Sequence, residues 1–429
     1  MFGALLTVGA MFIGQTDAGA GLSLERQVRG LVRQLNSKQL AERDAAEAKL
    51  IGLGPKVLDL LPRPTPRTPI EVKQRLGRIR HKLQQTAAEF SVRASTVTLK
   101  GKAVPLSQIL ASIEQQTGNK ITDIRKRFGH EVIDPKLDVE FEKTPFWQAL
   151  DRVLDQAELT VYPHPVEEEK AVFLVARGET RRPRSEGVAY AGPFRLEPQK
   201  IMASRDLRDP GQKALMFQLE VAWEPRLAPI TLKQKLGELH ATDEDGKPVA
   251  VADNEGEIEV PGGKDSAATN LILPWQLPPR NVEKIAKLTG KFTATVPGKI
   301  ETFTFDDLGA KNVKKRIAGV TVILEEVRKN NQLQEVRIRV QFDSAGKALA
   351  SHRNWIFNNE AYLVDSKDEK GEKVEYETLE TTRQAPNEVG VAYLFFLEKP
   401  IGDYKFVYKT AGVIVATEFE YELKDIKLP

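Results

Sequence analysis

The 429-residue chain has no cysteine, so disulfides, thiolate nucleophiles and cysteine-ligated zinc are all excluded, and stability has to come from packing. Histidine is scarce. His81, His130, His164, His240 and His352 are scattered along the chain, and none has a second His or a carboxylate at metal-ligand spacing. No His-Glu-x-x-His, Gly-x-Ser-x-Gly or phosphate-cradling glycine loop occurs. Charge of one sign is also lacking: 63 Lys and Arg against 60 Asp and Glu leave a formal charge of +3, too little to argue for nucleic acid, which needs several basic residues on one face. Long apolar runs are missing too. The one near an end, Phe2 to Ile13, is too short to span a bilayer core of about 30 Å at about 1.5 Å per residue. No catalytic, cofactor-binding or metal-ligating residue is therefore assigned, no cofactor is expected, and the chain reads as a non-enzyme without a transmembrane span.

What is present belongs to soluble globular protein, with 41% apolar and 29% charged residues. The length suggests three or four domains at about 150 residues each. The run Phe2 to Ile13 precedes Ala18-Gly19-Ala20, small residues at the −3 and −1 positions of a signal-peptide cleavage site. Residues 1–20 are expected to be a signal peptide, which makes the protein exported, periplasmic or extracellular. Only the amino terminus supplies positive charge ahead of Arg26; the alternative is a buried N-terminal strand or helix.

Residues 21–92 carry a helical pattern. Leu24, Val28, Leu31 and Leu35 make one stripe, and Leu40, Ala45, Ala46, Ala48 and Leu50 a second that Gly52 and Gly54 can end. Pro55 opens a third, with Val57, Leu58 and Leu61 inward. The run from Arg43-Asp44-Ala45-Ala46 through Leu50, Leu53-Gly54-Pro55, Val57, Leu58 and Leu61 resembles a single HEAT-type helical repeat, which implies a short helical cap or arm, since a solenoid needs about three copies. A fourth helix is expected from Thr68-Pro69-Ile70-Glu71, a capping box, with Leu76, Ile79 and Leu83 inward. Its other face carries Lys73, Arg75, Arg78, Arg80 and Lys82, a possible basic contact for an anionic surface or acidic partner, or else a solvated helix face.

Residues 93–178 hold a duplication. Pro105 and Pro145, forty positions apart, each follow alternating residues and open an apolar helix: Leu106, Ile109, Leu110 and Ile113 in the first, Phe146, Ala149, Leu150 and Val153 in the second. Leu110 and Leu150 are equivalent. Together with Gln116-Thr117-Gly118, Leu137-Asp138-Val139 and Phe146-Trp147-Gln148-Ala149-Leu150, the stretch Val97 to Val175 resembles the secretin and TonB short N-terminal domain. That resemblance implies a small α+β docking module. Glu158 stands where the family more often has Gly, and Thr122 to Pro135, with Arg125, Lys126, Arg127 and His130, is an insertion. Residues 179–186, in the arginine-rich break from Arg177 to Arg184, read as a linker.

Strand signals follow. Leu215, Phe217, Leu219, Val221 and Trp223 alternate with polar or small residues, as do Val336, Ile338, Val340 and Phe342. Each run heads the same sequence of signals: Leu239, the Asp243-Glu244-Asp245-Gly246 turn, and strands near Leu271–Trp275, Phe292–Val296 and Thr302–Phe305 in the first; Tyr362–Val364, the Asp368-Glu369-Lys370-Gly371 turn, Val391–Leu397, Tyr404–Tyr408 and Thr417–Tyr421 in the second. The two turns lack the alternating ligands and closing Glu of a calcium loop and read as tight hairpins. Glu167-Glu168-Glu169 reads as an exposed loop. The expected architecture is a multidomain α+β and all-β chain: helical segment, duplicated βαβ domain, then two tandem immunoglobulin-like β-sandwiches over 187–310 and 311–429.

These features point to an exported, non-catalytic scaffold or protein-interaction protein of the cell envelope, docking an envelope or secreted protein through its first 178 residues. Carbohydrate binding by the β-sandwiches is the alternative, with Trp147, Trp223, Trp275 and Trp355 as the rings available. A hydrolase has no sequence feature in its favour. Mass spectrometry of the protein from its native host is expected to find an N-terminus near Gly21; an intact Met1 would contradict export.

Overall fold

In the computed structural model, which describes residues 16–62, 64–65, 67–164, 166, 170–209, 211, 213–262, 266–298, 300–317, 319–342, 354–357, 359–367, 372–385 and 387–429, with side chains from 23 onward except those of 91, 354 and 355, strand accounts for 46% and helix for 23%. The N-terminal pattern becomes α1 (Thr16–Gln34), α2 (Leu40–Gly52) and α3 (Ile70–Ser91). Phe2–Ile13 lies outside the described residues, and the expected cut after Ala20 falls within the backbone of α1. Val28, Leu31 and Leu35 share one core with Ala46, Leu50, Leu76, Ile79 and Leu83, which is the stripe packing that helical spacing demands. The expected third helix is instead a six-residue 3-10 helix, Pro55–Leu60, entered through Gly54 at φ 78. Nor does Thr68 close a capping box. Its hydroxyl accepts the Thr65 amide at 2.9 Å, the first helical bond runs from Lys73 N to Pro69 O, and Glu71 binds Arg43 and Arg75 instead. Residues Met1–Ala87 and Ala88–Pro429 form separate compact units. Among the described residues no helix is long and apolar enough to cross a membrane.

The forty-residue duplication is present in the backbone of the second unit, where β1 (Thr96–Pro105), α4 (Leu106–Thr117) and β2 (Ile121–Asp123) are followed by β3 (Lys136–Pro145), α5 (Phe146–Gln156) and β4 (Leu159–Val161). β5 (Val172–Ala176) completes the module. Strands β1 and β3 pair antiparallel, and β5 lies between β2 and β4. The copies agree in detail: Pro105 and Pro145 both precede a helix at φ near −56, and Ala103 and Lys143 just before them sit at φ 51 and 47. Each amide is satisfied by the other copy. Leu106 N donates to Pro135 O and Phe146 N to Ser95 O, while Ala103 N bonds Asp138 and Lys143 N bonds Thr98. Glu158, where a glycine was expected, takes φ 55, the left-handed conformation that Gly118 takes at φ 69. The backbone is conserved between copies although the residue is not.

The module does not stand alone, because the stretch expected as a linker is packed. Asp155 on α5 accepts the amides of Arg184 and Ser185 and an Arg177 guanidinium, and Arg184 is buried. A second tie lies at Glu224, fully buried, which accepts Ser95 N at 2.9 Å, Ser95 Oγ at 2.6 Å and Asn119 Nδ2 at 3.0 Å. A buried carboxylate is tolerable only when its lone pairs are filled in this way.

The all-β region begins with β6 (Ala189–Ala191), β7 (Phe194–Arg205), β8 (Lys213–Trp223), β9 (Thr231–Lys235), β10 (His240–Asp243), β11 (Pro248–Val249), β12 (Glu257–Pro261), β13 (Ala268–Trp275) and β14 (Lys284–Pro297). It continues with β15 (Ile300–Phe305), β16 (Val313–Ile317), β17 (Val320–Asn330), β18 (Leu333–Phe342), β19 (Ala361–Asp365), β20 (Val374–Glu375), β21 (Thr378–Ala385), β22 (Glu388–Phe395), β23 (Tyr404–Ala411) and β24 (Ile414–Lys427). One core joins the sheet β13-β8-β7-β6 to the sheet β11-β10-β14-β9-β12; another joins β16-β17-β18-β22-β21 to β20-β19-β23. The strand orders of the two sandwiches correspond: β11-β10-β14 matches β20-β19-β23, and β13-β8-β7-β6 matches β22-β18-β17-β16.

The expected division at residue 310 does not follow the strands. β24, last in the chain, pairs with β14 of the first sandwich, and β15 pairs with β23 of the second. The duplicates have exchanged their last strands. One register runs unbroken from Lys284 opposite Lys427, through Gly298 N bonded to Val413 O, to Phe305 opposite Phe406. This is a single antiparallel ribbon with a contour of about 70 Å at about 3.4 Å per residue. Tyr421, Leu423 and Ile426 of β24 enter the first core, and Phe303 and Phe305 of β15 the second.

Two changes to the module have opposite expected signs. Glu158→Gly removes a left-handed side chain and is expected to raise stability by about 1 kcal/mol. Leu150→Ala, fully buried, is expected to cost about 2–5 kcal/mol, and Leu110→Ala less because Leu110 only borders the core. Equilibrium denaturation of the three variants checks both.

Candidate functional site

The five basic residues singled out on α3 do not form one free face. Lys73, Arg78 and Lys82 are exposed, but Arg75 is only 5% exposed and is held by Asp44 at 2.8 Å, Glu47 at 2.6 Å and Glu71 at 3.1 Å. Arg78 shares Glu47, and Arg80 donates to Leu61 O at 2.6 Å. Burial works against the charge on Glu47, yet Arg78 and Arg75 together hold its pKa below the ordinary value. Helical spacing alone shows Glu71 at i−4 but not Asp44 and Glu47, which lie on α2 about thirty residues earlier.

The described residues enclose a cleft of about 370 Å³ between the α+β module and the outer face of β7 and β8, within the size range of small-ligand sites. Arg184 and Glu197 of its lining belong to one ionic cluster. Asp151, on the same face of α5 as Trp147 four residues earlier, is fully buried and accepts Arg184 Nε at 2.8 Å, Arg195 Nε at 2.6 Å and the Tyr190 hydroxyl at 2.8 Å. Arg195, 1% exposed, also binds Glu197 at 2.5 Å and the Arg184 carbonyl at 2.8 Å. Burial alone would lower the Arg195 pKa, but Asp151 and Glu197 outweigh it and raise it. Burial, and then the charge of Asp151, pushes the Tyr190 phenol up. Trp147 adds a bond from its indole N–H to Pro193 O at 3.1 Å.

The floor of the cleft carries two carboxylates directly opposite each other, Glu197 on β7 and Glu220 on β8. Such pairs have Cβ atoms about 5 Å apart and repel when both are charged. Glu197 is neutralised by Arg195; Glu220 has neither a hydrogen bond nor an ion pair among the described residues. Burial first, and Glu197 second, raise the Glu220 pKa above the ordinary carboxylate value. The opposite wall presents Val161, Tyr162, His164 and Phe173, and the exposed Arg181 and Arg182 stand at the rim. Tyr162 is flanked by Phe128, ring centroids 5.1 Å apart, and by His164 at 5.4 Å.

The sequence reading missed this site. Asp151 interrupts an apolar helix next to a Trp at i−4, and the four arginines from Arg177 to Arg184 were the available signal, but they read as a break. Among the remaining sequence candidates, Asp243 spends its carboxylate on the amides of Asp245 and Lys247, closing a hairpin between β10 and β11. His130, His164 and His240 are exposed. Among the described residues no group of three His, Asp or Glu is placed to hold a metal ion. Glu167–Glu169, His352, the side chain of Trp355 and the turn at 368–371 lie outside the described residues.

No protein-family model matches the chain, and no curated protein sequence matches it significantly.

Removing Asp151 would leave two arginines buried without their shared counter-ion. Asp151→Ala is expected to destabilise the protein by about 3–5 kcal/mol, measured by urea denaturation, with Asp151→Asn intermediate; a loss below about 1 kcal/mol in the Ala variant would show that the cluster does not hold the module in place.

Proposed function

We propose that the protein is an exported, non-catalytic interaction protein of the cell envelope, periplasmic or extracellular, that docks a protein partner through its α+β module, with the HEAT-like helical segment as a second contact. On this reading the α+β module is of the secretin and TonB short N-terminal domain kind, and the β region, of immunoglobulin-like kind, is its support. The observation that carries it is the insertion between β2 and β3. Phe128, Val132 and Ile133 are 48%, 50% and 60% exposed, three large apolar side chains within six positions of a loop.

That loop is braced. Arg125, itself buried, binds Asp123 at 2.6 Å and reaches the Ile133 carbonyl at 3.0 Å, and Asp134 accepts both the amide and the hydroxyl of Ser107 at the start of α4. Holding apolar groups rigidly in water favours association, because less ordering remains to be done on contact. Lys126, Arg127 and His130 around them add charge that steers an acidic partner.

Glycan binding finds less support, since Trp147, Trp223 and Trp275 are all buried. A hydrolase working with paired carboxylates needs both groups available to substrate or water, and Glu197 is bound by Arg195. The test is a pull-down from an envelope extract of the native host with the full chain and with the triple variant F128S, V132S and I133S. A partner protein retained by the wild type and reduced at least tenfold by the variant is expected. Identical captures by both, or capture of glycan alone, would contradict the reading.

A further inference from the structure

The cleft on β7 and β8 has a charge balance that says what would fill it. Within the cluster beneath it, Asp151 and Glu197 are matched by Arg184 and Arg195 through direct bonds. Two lining carboxylates have no such bond among the described residues: Glu186, which is exposed, and Glu220, half-buried on the floor, its cross-strand neighbour already committed to Arg195. Partly desolvated carboxylates favour a counter-charge more strongly than exposed ones do. The facing wall supplies rings and apolar surface from Tyr162, Phe173 and Val161, which suit an alkyl chain or the face-on approach of a cation.

We infer that this cleft binds an organic cation, a primary ammonium on a short apolar stem, with the ammonium on Glu220 and the stem against Tyr162 and Phe173. A free diamine and a lysine side chain share that chemistry. The volume of about 370 Å³ accommodates either and excludes a folded partner. The proposal concerns a different ligand class from the docking loop and rests on Glu220, although Phe128 of that loop packs against Tyr162 of the cleft wall.

The groups that act on Glu220 fix the signs. Glu197 and Arg195 lie beside it on β7, and the charges of Arg184 and Arg181 act on it from the segment after β5; Arg182, Glu186 and His164 also line the cleft. Because burial and Glu197 favour the protonated form of Glu220, affinity for an ammonium ion falls with falling pH, and does so at a higher pH than an ordinary carboxylate would give, while the amine itself stays charged. Arg181 and Arg182 at the rim repel the ligand, so removing them strengthens binding.

Isothermal titration of the full chain with cadaverine, with an acetylated and amidated Gly-Gly-Lys-Gly-Gly peptide, and with glutarate as the anionic counterpart tests this. The two amine probes distinguish the free from the side-chain source, and saturable binding of either is expected. Glu220→Gln is expected to weaken it at least tenfold, and the double variant R181Q and R182Q to strengthen it severalfold, an opposite shift that general loss of structure cannot produce. Absence of amine binding, amine affinity unchanged in E220Q, or preference for glutarate lost in R181Q and R182Q would overturn the assignment.

Discussion

The antiparallel ribbon formed by β14–β15 and β23–β24 is the constraint on which the β region depends. A duplicated sandwich ordinarily gives two domains that fold separately, each closing its own sheets. Here each copy ends on a strand that belongs to the other, so neither core is complete without a strand supplied by the other copy. A side-chain period of two means that a slip of one position would turn every inward residue outward, and the ribbon is pinned against that. Phe292 and Phe419 lie opposite each other with rings stacked 5.6 Å apart, and Phe194 meets both edge-on. Gly290 leaves room for the ring of Tyr421 across the pair: a Cβ there would sit 2.4 Å from it, and the Tyr421 hydroxyl reaches Gln234 at 3.1 Å.

The same economy of shared parts joins the α+β module to the first sandwich. Ala222, Tyr190 and Ala268 of the sandwich join the module's apolar core, and two buried polar ties, at Asp151 and at Glu224, have their carboxylate oxygens filled. Buried ion clusters add little net stability compared with apolar packing, but they punish misplacement, because any unpaired member is left charged in a poor solvent. This arrangement favours one fixed seating over many approximate ones. A cleft between module and sheet then has defined walls, and the loop carrying Phe128, Val132 and Ile133 springs from a module tied to the sheet by these buried bonds.

Much of the local structure was legible from residues that report their own surroundings. The stripes of α1 to α5, the forty-residue repeat, and strands such as Leu215–Trp223 and Val336–Phe342 follow from periodicity, which depends only on which face is buried. Even Glu158 fell at a recognisable turn position. What stayed hidden depended on partners far away in sequence: Arg75 reads as exposed until Glu47 is placed beside it, and Asp151 reads as a surface acid until Arg195 closes on it. The exchange of β15 and β24 left no local trace, since a strand shows the same alternation whichever sheet it joins.

The ribbon as the joint between the two sandwiches is tested most directly by hydrogen exchange on a chain ended at Ala411, which lacks β24 but keeps β15 and β23. Loss of amide protection throughout β7, β8, β10 and β14, with β17, β18, β22 and β23 still protected, is expected. Retained protection in the first sandwich, with the loss confined to the second, would contradict it.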